Sequence, residues 1–338
     1  MHWRVLGPYI HSATDPWLAE YVERPGRSFS LVPAAYRHDR SRAVSGLSDW
    51  RDYFSHAHQA WRSLDAARAE PGGLITIFPQ LAMCAAIEKR LRRRDVPLLA
   101  WCFNLGALYQ GAKGRLARFA APAVDRWVVH STAEVQAYSQ WLGLPADRFR
   151  FVPLQRPVEP VAFGEDLDQP FLLAMGSARR DYPLLVQVVA RLGVPTLIVA
   201  AEHAVQGIAL PPNVTVRQGL SAAQCNELAQ RARLCVVPVA NRETASGQVT
   251  VIDSMMFGRA TIATRCVGTV DYIDHGVDGW LVEPGSAAQL GEAIATLWAD
   301  EGLRRSLGQN ARTRVQTRLS DAAAGAALDA LLLELEQR

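Results

Sequence analysis

Short apolar runs, each about as long as one strand, recur along this 338-residue chain, and helical patterns separate them. In the first half the runs are WRVLG (3–7), SFSLVPA (28–34), LITIFPQ (74–80), PLLAWCFN (97–104) and RWVVHS (126–131), with helical stretches near 49–70, 80–94, 111–122 and 133–142. The second half has the same grammar: FLLAMG (171–176), PTLIVA (195–200), VTVR (214–217), LCVVPV (234–239) and ATIAT (260–264), with helices near 181–192, 221–231 and 246–257. Continuous apolar strands alternating with helices belong to parallel sheets covered on both faces. The pattern therefore predicts an α/β chain of two doubly wound domains.

The boundary falls in LQRPVEPVAFGEDLDQP (154–170), which is rich in proline and acid and has no period. The expected division is a first domain over 1–155, a linker over 156–169, and a second domain over 170–338 that turns helical after Gly285. At 49% hydrophobic and 20% charged, the composition allows a sizeable core. No apolar run approaches the roughly 20 residues of a membrane-spanning helix. The N-terminus lacks the basic-then-apolar pattern of a signal peptide. The five cysteines are scattered and form no C-x-x-C pair, which argues for a reducing, cytoplasmic setting and against structural zinc.

The net charge of +3 is unevenly spread. Residues 1–160 hold 21 Lys+Arg against 14 Asp+Glu, a net of +7. Such asymmetry points the first half towards an anionic acceptor or an anionic membrane surface, the alternative being an accident of an arginine-rich composition. The run Glu88-Lys89-Arg90-Leu91-Arg92-Arg93-Arg94 ends a helix, where cations suit the dipole, so a solvated helix end competes with a lipid contact there. Helix 49–66 would place Trp50, Phe54, Trp61 and Leu64 on one core-facing side.

Ligands bind at the carboxyl ends of parallel strands. The richest such segment is 243–285. Glu243 lies in the loop after strand 234–239, and Ser246 and Gly247 open a helix whose expected apolar face is Val249, Ile252, Met256 and Phe257. Free N–H groups at a helix N-terminus attract anions, Gly247 admits a phosphate to the backbone, and Ser246 can cap the helix or donate a hydrogen bond. Asp253 can accept hydrogen bonds from a ribose. A capped helix with a glycine turn and one exposed acid is the plainer alternative. At the end of strand 171–176, Gly176 is followed by Arg179 and Arg180, cations suited to a diphosphate or, alternatively, a solvated arginine pair. Asn104 ends strand 97–104 and can hydrogen-bond a hydroxyl or form a turn; His130 is a weaker candidate for a base; Ser131 and Glu134 have capping-box spacing. There is no Gly-Lys-Ser/Thr phosphate loop and no G-x-G-x-x-G, and Asp166-Leu167-Asp168 lies in the expected linker.

The stretch from Asp253-Ser254-Met255-Met256 through Gly258-Arg259-Ala260-Thr261-Ile262-Ala263 resembles the donor-binding region of family-4 retaining glycosyltransferases. So do Asp271-Tyr272-Ile273, Gly276, Gly279, Leu281-Val282, Pro284-Gly285, Leu307-Gly308 and Ala311-Arg312. The resemblance is specific over roughly 170–315 and implies the GT-B fold, two Rossmann-like domains facing across a cleft. It further implies a retaining, metal-independent transfer from a nucleotide-diphosphate-sugar (a UDP- or GDP-sugar) to a glycan or lipid-linked acceptor, with no nucleic acid involved. It assigns Arg180, Glu243 and Asn104 to catalysis, and Gly176, Arg179, Ser246, Gly247, Gln248 and Asp253 to the donor. The family's two acids stand eight positions apart, whereas eight positions before Asp253 is Ala245. Either Glu243 still reaches the sugar from a longer loop, or its role has passed to Ser246-Gly247-Gln248. A nucleotide-sugar epimerase or hydrolase, and a non-catalytic scaffold, are the other readings; a protein at the inner membrane face fits the basic first half.

Overall fold

The computed structural model describes residues 1–337 except Pro16, Glu23, 35–45, Pro71, Gly106, Asn241 and Thr244. Packing divides the chain into two units: Met1–Val152 together with Ala324–Arg338, and Pro153–Ala323.

The first unit contains β1 (His2–Leu6), β2 (Ser28–Val32), α1 (Gly46–Ala69), β3 (Gly72–Ile77), α2 (Pro79–Leu91), β4 (Leu98–Trp101), α3 (Gly111–Ala120), β5 (Arg126–Val129), α4 (Thr132–Leu142) and β6 (Phe149–Phe151). The strands form one parallel sheet in the order β2-β1-β3-β4-β5-β6. From β2 to β6 every connection runs the same way across the sheet. Right-handed crossovers therefore put α1 to α4 on a single face, where Leu64, Leu81, Ala85, Ala120 and Tyr138 pack on Leu98 and Ala100. Alternate residues Leu99 and Trp101 point to the opposite face.

That opposite face needs another cover, and the end of the chain supplies it. Within Asp321–Glu336 (the last helix, α11 below), Leu328, Leu331, Leu332 and Leu335 bury against Trp3, Val5, Ile75 and Trp101. A polar clamp fixes the helix: buried Arg27 gives Nη1 to Asp329 Oδ1 (2.5 Å) and Nη2 to Glu336 Oε2 (2.7 Å), and Trp3 Nε1 donates to Glu336 Oε1 (2.8 Å). Sequence reading extends the second domain to residue 338, but these contacts put the final helix in the first unit.

The second unit contains β7 (Leu172–Met175), α5 (Tyr182–Leu192), β8 (Thr196–Val199), α6 (Glu202–Val205), β9 (Val214–Arg217), α7 (Ala222–Arg231), β10 (Leu234–Val237), α8 (Gln248–Met256), β11 (Thr261–Thr264), β12 (Trp280–Val282), α9 (Ala287–Ala299) and α10 (Glu301–Arg318), with α11 completing the chain. Its parallel sheet runs β9-β8-β7-β10-β11-β12, the Rossmann order, with the winding direction reversing between β7 and β10. Helices α5 and α9 cover one face, and α7, α8 and α10 the other. Two Rossmann-like units in one chain make up the GT-B fold, although only the second is doubly wound, with crossover helices on both faces. The three-residue edge strands β6 and β12 are too short to register as runs in the sequence.

The expected linker has no helix or strand, yet it is tied to the second unit. Leu154 N donates to Tyr272 Oη (2.8 Å), Arg156 N to Leu319 O (3.0 Å), and Ala162 N and Phe163 N both to Gln230 Oε1 (2.6 and 2.9 Å). It is a strap. Helix α1 also departs from expectation: Leu64 is core, but Phe54 (70% exposed) and Trp61 (45%) face outwards, and the side chain of Trp50 lies outside the described residues. Ala60 and Ala67 share the buried side with Leu64 instead. Among the described residues no helix is long and apolar enough to cross a membrane.

If α11 covers the first sheet, Leu332→Ala costs unit 1 about 2–5 kcal/mol, as for other buried leucines. Amide exchange should then speed up in β1, β3 and β4 and stay unchanged in β7 and β8. Equal loss of protection in both sheets would contradict this assignment.

Candidate functional site

The second sheet offers its ligand position where the winding reverses, outside the carboxyl ends of β7 and β10. Backbone bonds stitch the two loops together there: Asp181 N donates to Pro238 O (3.0 Å) and Ala240 N to Arg179 O (2.9 Å). The carbonyl of Gly176 accepts from the buried Tyr182 hydroxyl (2.5 Å), which holds the turn after β7. Asp181 caps α5 through Leu184 N (3.1 Å).

Arg180 lies folded into this corner. Its Nε donates to Met175 O (3.1 Å), Nη1 to Ala178 O (2.8 Å) and Nη2 to Thr250 Oγ1 in the first turn of α8 (2.9 Å). The guanidinium packs over Gly176, where a Cβ would stand 2.5 Å from Nη2. Burial lowers its pKa, and among the described residues no carboxylate lies within ion-pair distance. Arg180 is thus half-buried and hydrogen-bonded, whereas its neighbour Arg179 is exposed, as in the alternative of a solvated pair. Among the described residues, three of the five guanidinium N–H groups are engaged, and two remain for another acceptor. A half-buried cation with no acid partner nearby suits an anionic ligand.

Helix α8 ends at the same corner. Gly247 is its N-cap at φ +90°, with no side-chain cap, so the expected capping by Ser246 is not found; Ser246 Oγ donates to Ala178 O instead (3.4 Å). A Cβ on Gly247 would lie 3.1 Å from Val237 Cγ1 and 3.2 Å from Val239 Cγ2. Space as well as conformation therefore demands glycine. The first-turn N–H groups and the positive end of the helix dipole thus share the corner with Arg180. The buried side of α8 carries Val251, Ile252, Met255 and Met256, while Val249, expected in the core, is 38% exposed.

The remaining candidates divide. Gln248 is buried at the first position of α8, and Arg179 is exposed, at φ +56°. Asp253, on α8, accepts from Arg156 Nε of the strap (2.9 Å). Burial raises the Asp253 pKa from its ordinary value, and Arg156 opposes that rise. Glu243 is exposed in the loop and has no hydrogen-bond partner among the described residues, whereas its neighbour Arg242 pairs with Glu283 (2.6 Å). Asn104 is half-buried beyond the carboxyl end of β4, in the other unit. His130 is fully buried, its Nδ1 bonded to Val152 O (2.8 Å), and burial lowers its pKa to about 4, so it is a neutral core residue. Ser131 caps α4 at Ala133 N (3.3 Å), and Glu134 binds His130 N (3.2 Å) and the Tyr138 hydroxyl (2.7 Å). Thr250 and Arg156 are the site residues that sequence reading missed. Thr250 has no signal of its own, and Arg156 stood in a stretch without period.

Residues 173–300 match the model of the family described as glycosyl transferases group 1. Among curated proteins, the chain is 37% identical over 59 residues to the capsular polysaccharide biosynthesis glycosyltransferase CapM of Staphylococcus aureus, covering 18% of this chain and 16% of that protein. It is 28% identical over 219 residues to an exopolysaccharide phosphotransferase of Streptomyces coelicolor, covering 60% and 22%. The chain spans less than a quarter of the length of these curated relatives. Among solved structures, HepE of Anabaena, in complex with UDP, superposes over 99% of this chain and 100% of its own with a TM-score of 0.70 at 15% identity. That likeness is one of fold.

Two outcomes are expected. Gly247→Ala puts a side chain at a positive φ and against two valines, costing about 1–3 kcal/mol of strain. It should lower the melting temperature and weaken binding of a nucleoside diphosphate, and a neutral effect on both would remove the close-approach argument. Arg156→Ala removes the group that opposes the burial shift, so the Asp253 carboxyl should titrate at higher pH, read by carbon NMR of the side chain. Because the folded pKa lies above the unfolded one, unit 2 should gain stability as pH falls through that window, and more so in the variant. An unmoved midpoint would show that the pair does not tune Asp253.

Proposed function

We propose that this protein is a retaining glycosyltransferase that moves a sugar from a nucleotide-diphosphate-sugar to a glycan or lipid-linked acceptor in cell-surface polysaccharide or glycolipid synthesis. In this reading unit 2 binds the donor and unit 1 the acceptor. The observation that carries it is Arg180, a half-buried guanidinium with no acid partner among the described residues, beside the open N-terminus of α8. A diphosphate supplies the missing negative charge, and two free N–H groups suit its oxygens. The match of 173–300 to the group 1 family supports the same reading.

The reaction must stabilise an oxocarbenium-like centre and a departing diphosphate. Arg180 and the α8 N–H groups take up the phosphate charge, which grows as the bond breaks, so their help is greatest in the transition state. In this arrangement the arginine fills the place of a metal cation. Asp253, kept ionised by Arg156, accepts from the ribose hydroxyls. Gly176, Arg179, Ser246 and Gln248 line the donor, Glu243 approaches the sugar from its loop, and Asn104 hydrogen-bonds a hydroxyl. UDP is the favoured nucleotide over GDP, because HepE of Anabaena was solved with UDP. The enzyme works in the cytoplasm, with the basic first unit at the inner membrane face. Epimerase or hydrolase chemistry is disfavoured by His130, whose ring is buried and bonded to a backbone carbonyl. A non-catalytic scaffold would not need an unpaired arginine in the nucleotide corner.

The test is sugar transfer from UDP- and GDP-sugars to glycan and lipid-linked acceptors, with the anomeric configuration of the product read by NMR and the rate compared with and without chelator. Arg180→Ala should lower turnover by about 100-fold or more, the scale of losing one electrostatic stabiliser. It should also lower the melting temperature, since Met175 O and Thr250 Oγ1 lose the donor that Arg180 supplies, at about 1 kcal/mol for each part-buried hydrogen bond. Arg180→Lys should recover part of the turnover, as a point charge cannot reproduce the fork. Full turnover per folded molecule in Arg180→Ala would remove the residue from the mechanism.

A further inference from the structure

Helix α3 in unit 1 has its large and small residues the wrong way round for a core helix. Its buried stripe is Gly114, Ala117 and Ala120, while Leu116 (49% exposed) and Phe119 (42%) face outwards among Lys113, Arg115 and Arg118. Cations flanking outward apolar side chains are the pattern of a helix at a lipid interface. Among the described residues none of the three cations has a carboxylate within ion-pair distance. The basic run at the end of α2 is different: Arg92 and Arg94 both pair with Asp65, at 3.1 Å for Arg94. Pairing thus takes up two of the three arginines of the run 92–94 and leaves Arg93 exposed, while α3 carries three further exposed cations.

Behind α3 lies a cavity of about 320 Å³. Ala117 and Ala120 form one wall, and Met83, Cys84 and Ile87 of α2 the facing wall. Short side chains on α3 leave this gap, because its larger residues point away from it. Trp141 closes the far side, its Nε1 spent on Tyr109 O (2.9 Å), and Lys113 and Leu116 stand at the mouth. Apolar walls of this kind stabilise a hydrocarbon and have little to offer a hydrated sugar. An ammonium at the mouth adds complementarity to an anionic headgroup.

We propose that this groove holds the hydrocarbon chain of a lipid-linked acceptor, with its phosphate held by Lys113 and the arginines of α3. The chain site follows from unit 1 alone; calling its occupant the acceptor rests on the function proposed above. A methylene occupies about the space of one water, about 30 Å³, so the cavity takes a chain of about ten carbons.

The experiment uses the full chain and n-alkyl phosphates of six to fourteen carbons below their micelle concentrations, with binding read by calorimetry and without any nucleotide-sugar. Affinity should rise about fourfold per added methylene and flatten near ten carbons. Ala117→Phe, or Ile87→Trp at a half-buried position if the first variant fails to fold, should weaken binding at least tenfold. Lys113→Glu should weaken it and reduce its dependence on salt. Absence of saturable binding, no dependence on chain length, or unchanged affinity in a folded groove-filling variant would overturn the proposal. A dimer that dissociates in Ile87→Trp, seen by sedimentation, would assign the groove to a second copy and overturn it as well. Since this binding is read without turnover, its failure leaves sugar transfer standing, and inactivity with every donor leaves the groove standing. Equal turnover on a glycan with and without an alkyl phosphate would refute the acceptor assignment.

Discussion

A single guanidinium organises the second unit's ligand corner. Arg180 binds the carbonyl that ends β7, the turn after it and the first turn of α8, and so joins the two strands between which the sheet reverses direction. Gly176 must lack a side chain because the arginine lies on it, and Gly247 must lack one because the valines at the end of β10 lie against it. The corner is thus assembled by close approaches that only glycine permits, around a charge that only arginine supplies in so many directions. A charge partly withdrawn from water raises the energy of such a corner, a cost that an anionic ligand would offset.

Handedness has an equally concrete consequence in the first unit. Because its crossovers from β2 to β6 all advance in one direction, the right-handed rule stacks α1 to α4 on one face. The other face would be left largely to water, and the last helix of the chain closes it, with Arg27 between Asp329 and Glu336 as its clamp. The ends of the chain are therefore bound into one unit although the middle of the chain forms the other. On the four-helix face, α3 presents alanine and glycine inwards, and this choice of small residues is what opens the apolar groove.

Much of the fold could be read from the order of residues. Runs such as LITIFPQ and LCVVPV are apolar throughout because both faces of a parallel sheet are covered, and this property survives translation into one dimension. Gly176 and Gly247 likewise announce turns by residue type. Other features had no such signal. Phe54 and Trp61 look like core by spacing, yet α1 buries His56, Ala60 and Leu64, because the side of a helix that faces the sheet is chosen by its neighbours. Val249 was misplaced for the same reason.

The sequence by itself determined the α/β class, the two parallel sheets, and the loops that carry the candidate site, since hydrophobic period and turn chemistry are local properties. Only the tertiary structure decided who meets whom. It brought Arg156 to Asp253 from a stretch that reads as a linker, took Arg92 and Arg94 out of play by pairing them with Asp65, buried His130, and gave Arg180 to Thr250 seventy residues away. Each of these depends on distance in space between side chains far apart in the chain, and on burial, which sets how strongly a charge is felt. Neither quantity exists until the sheets are wound and their faces are covered.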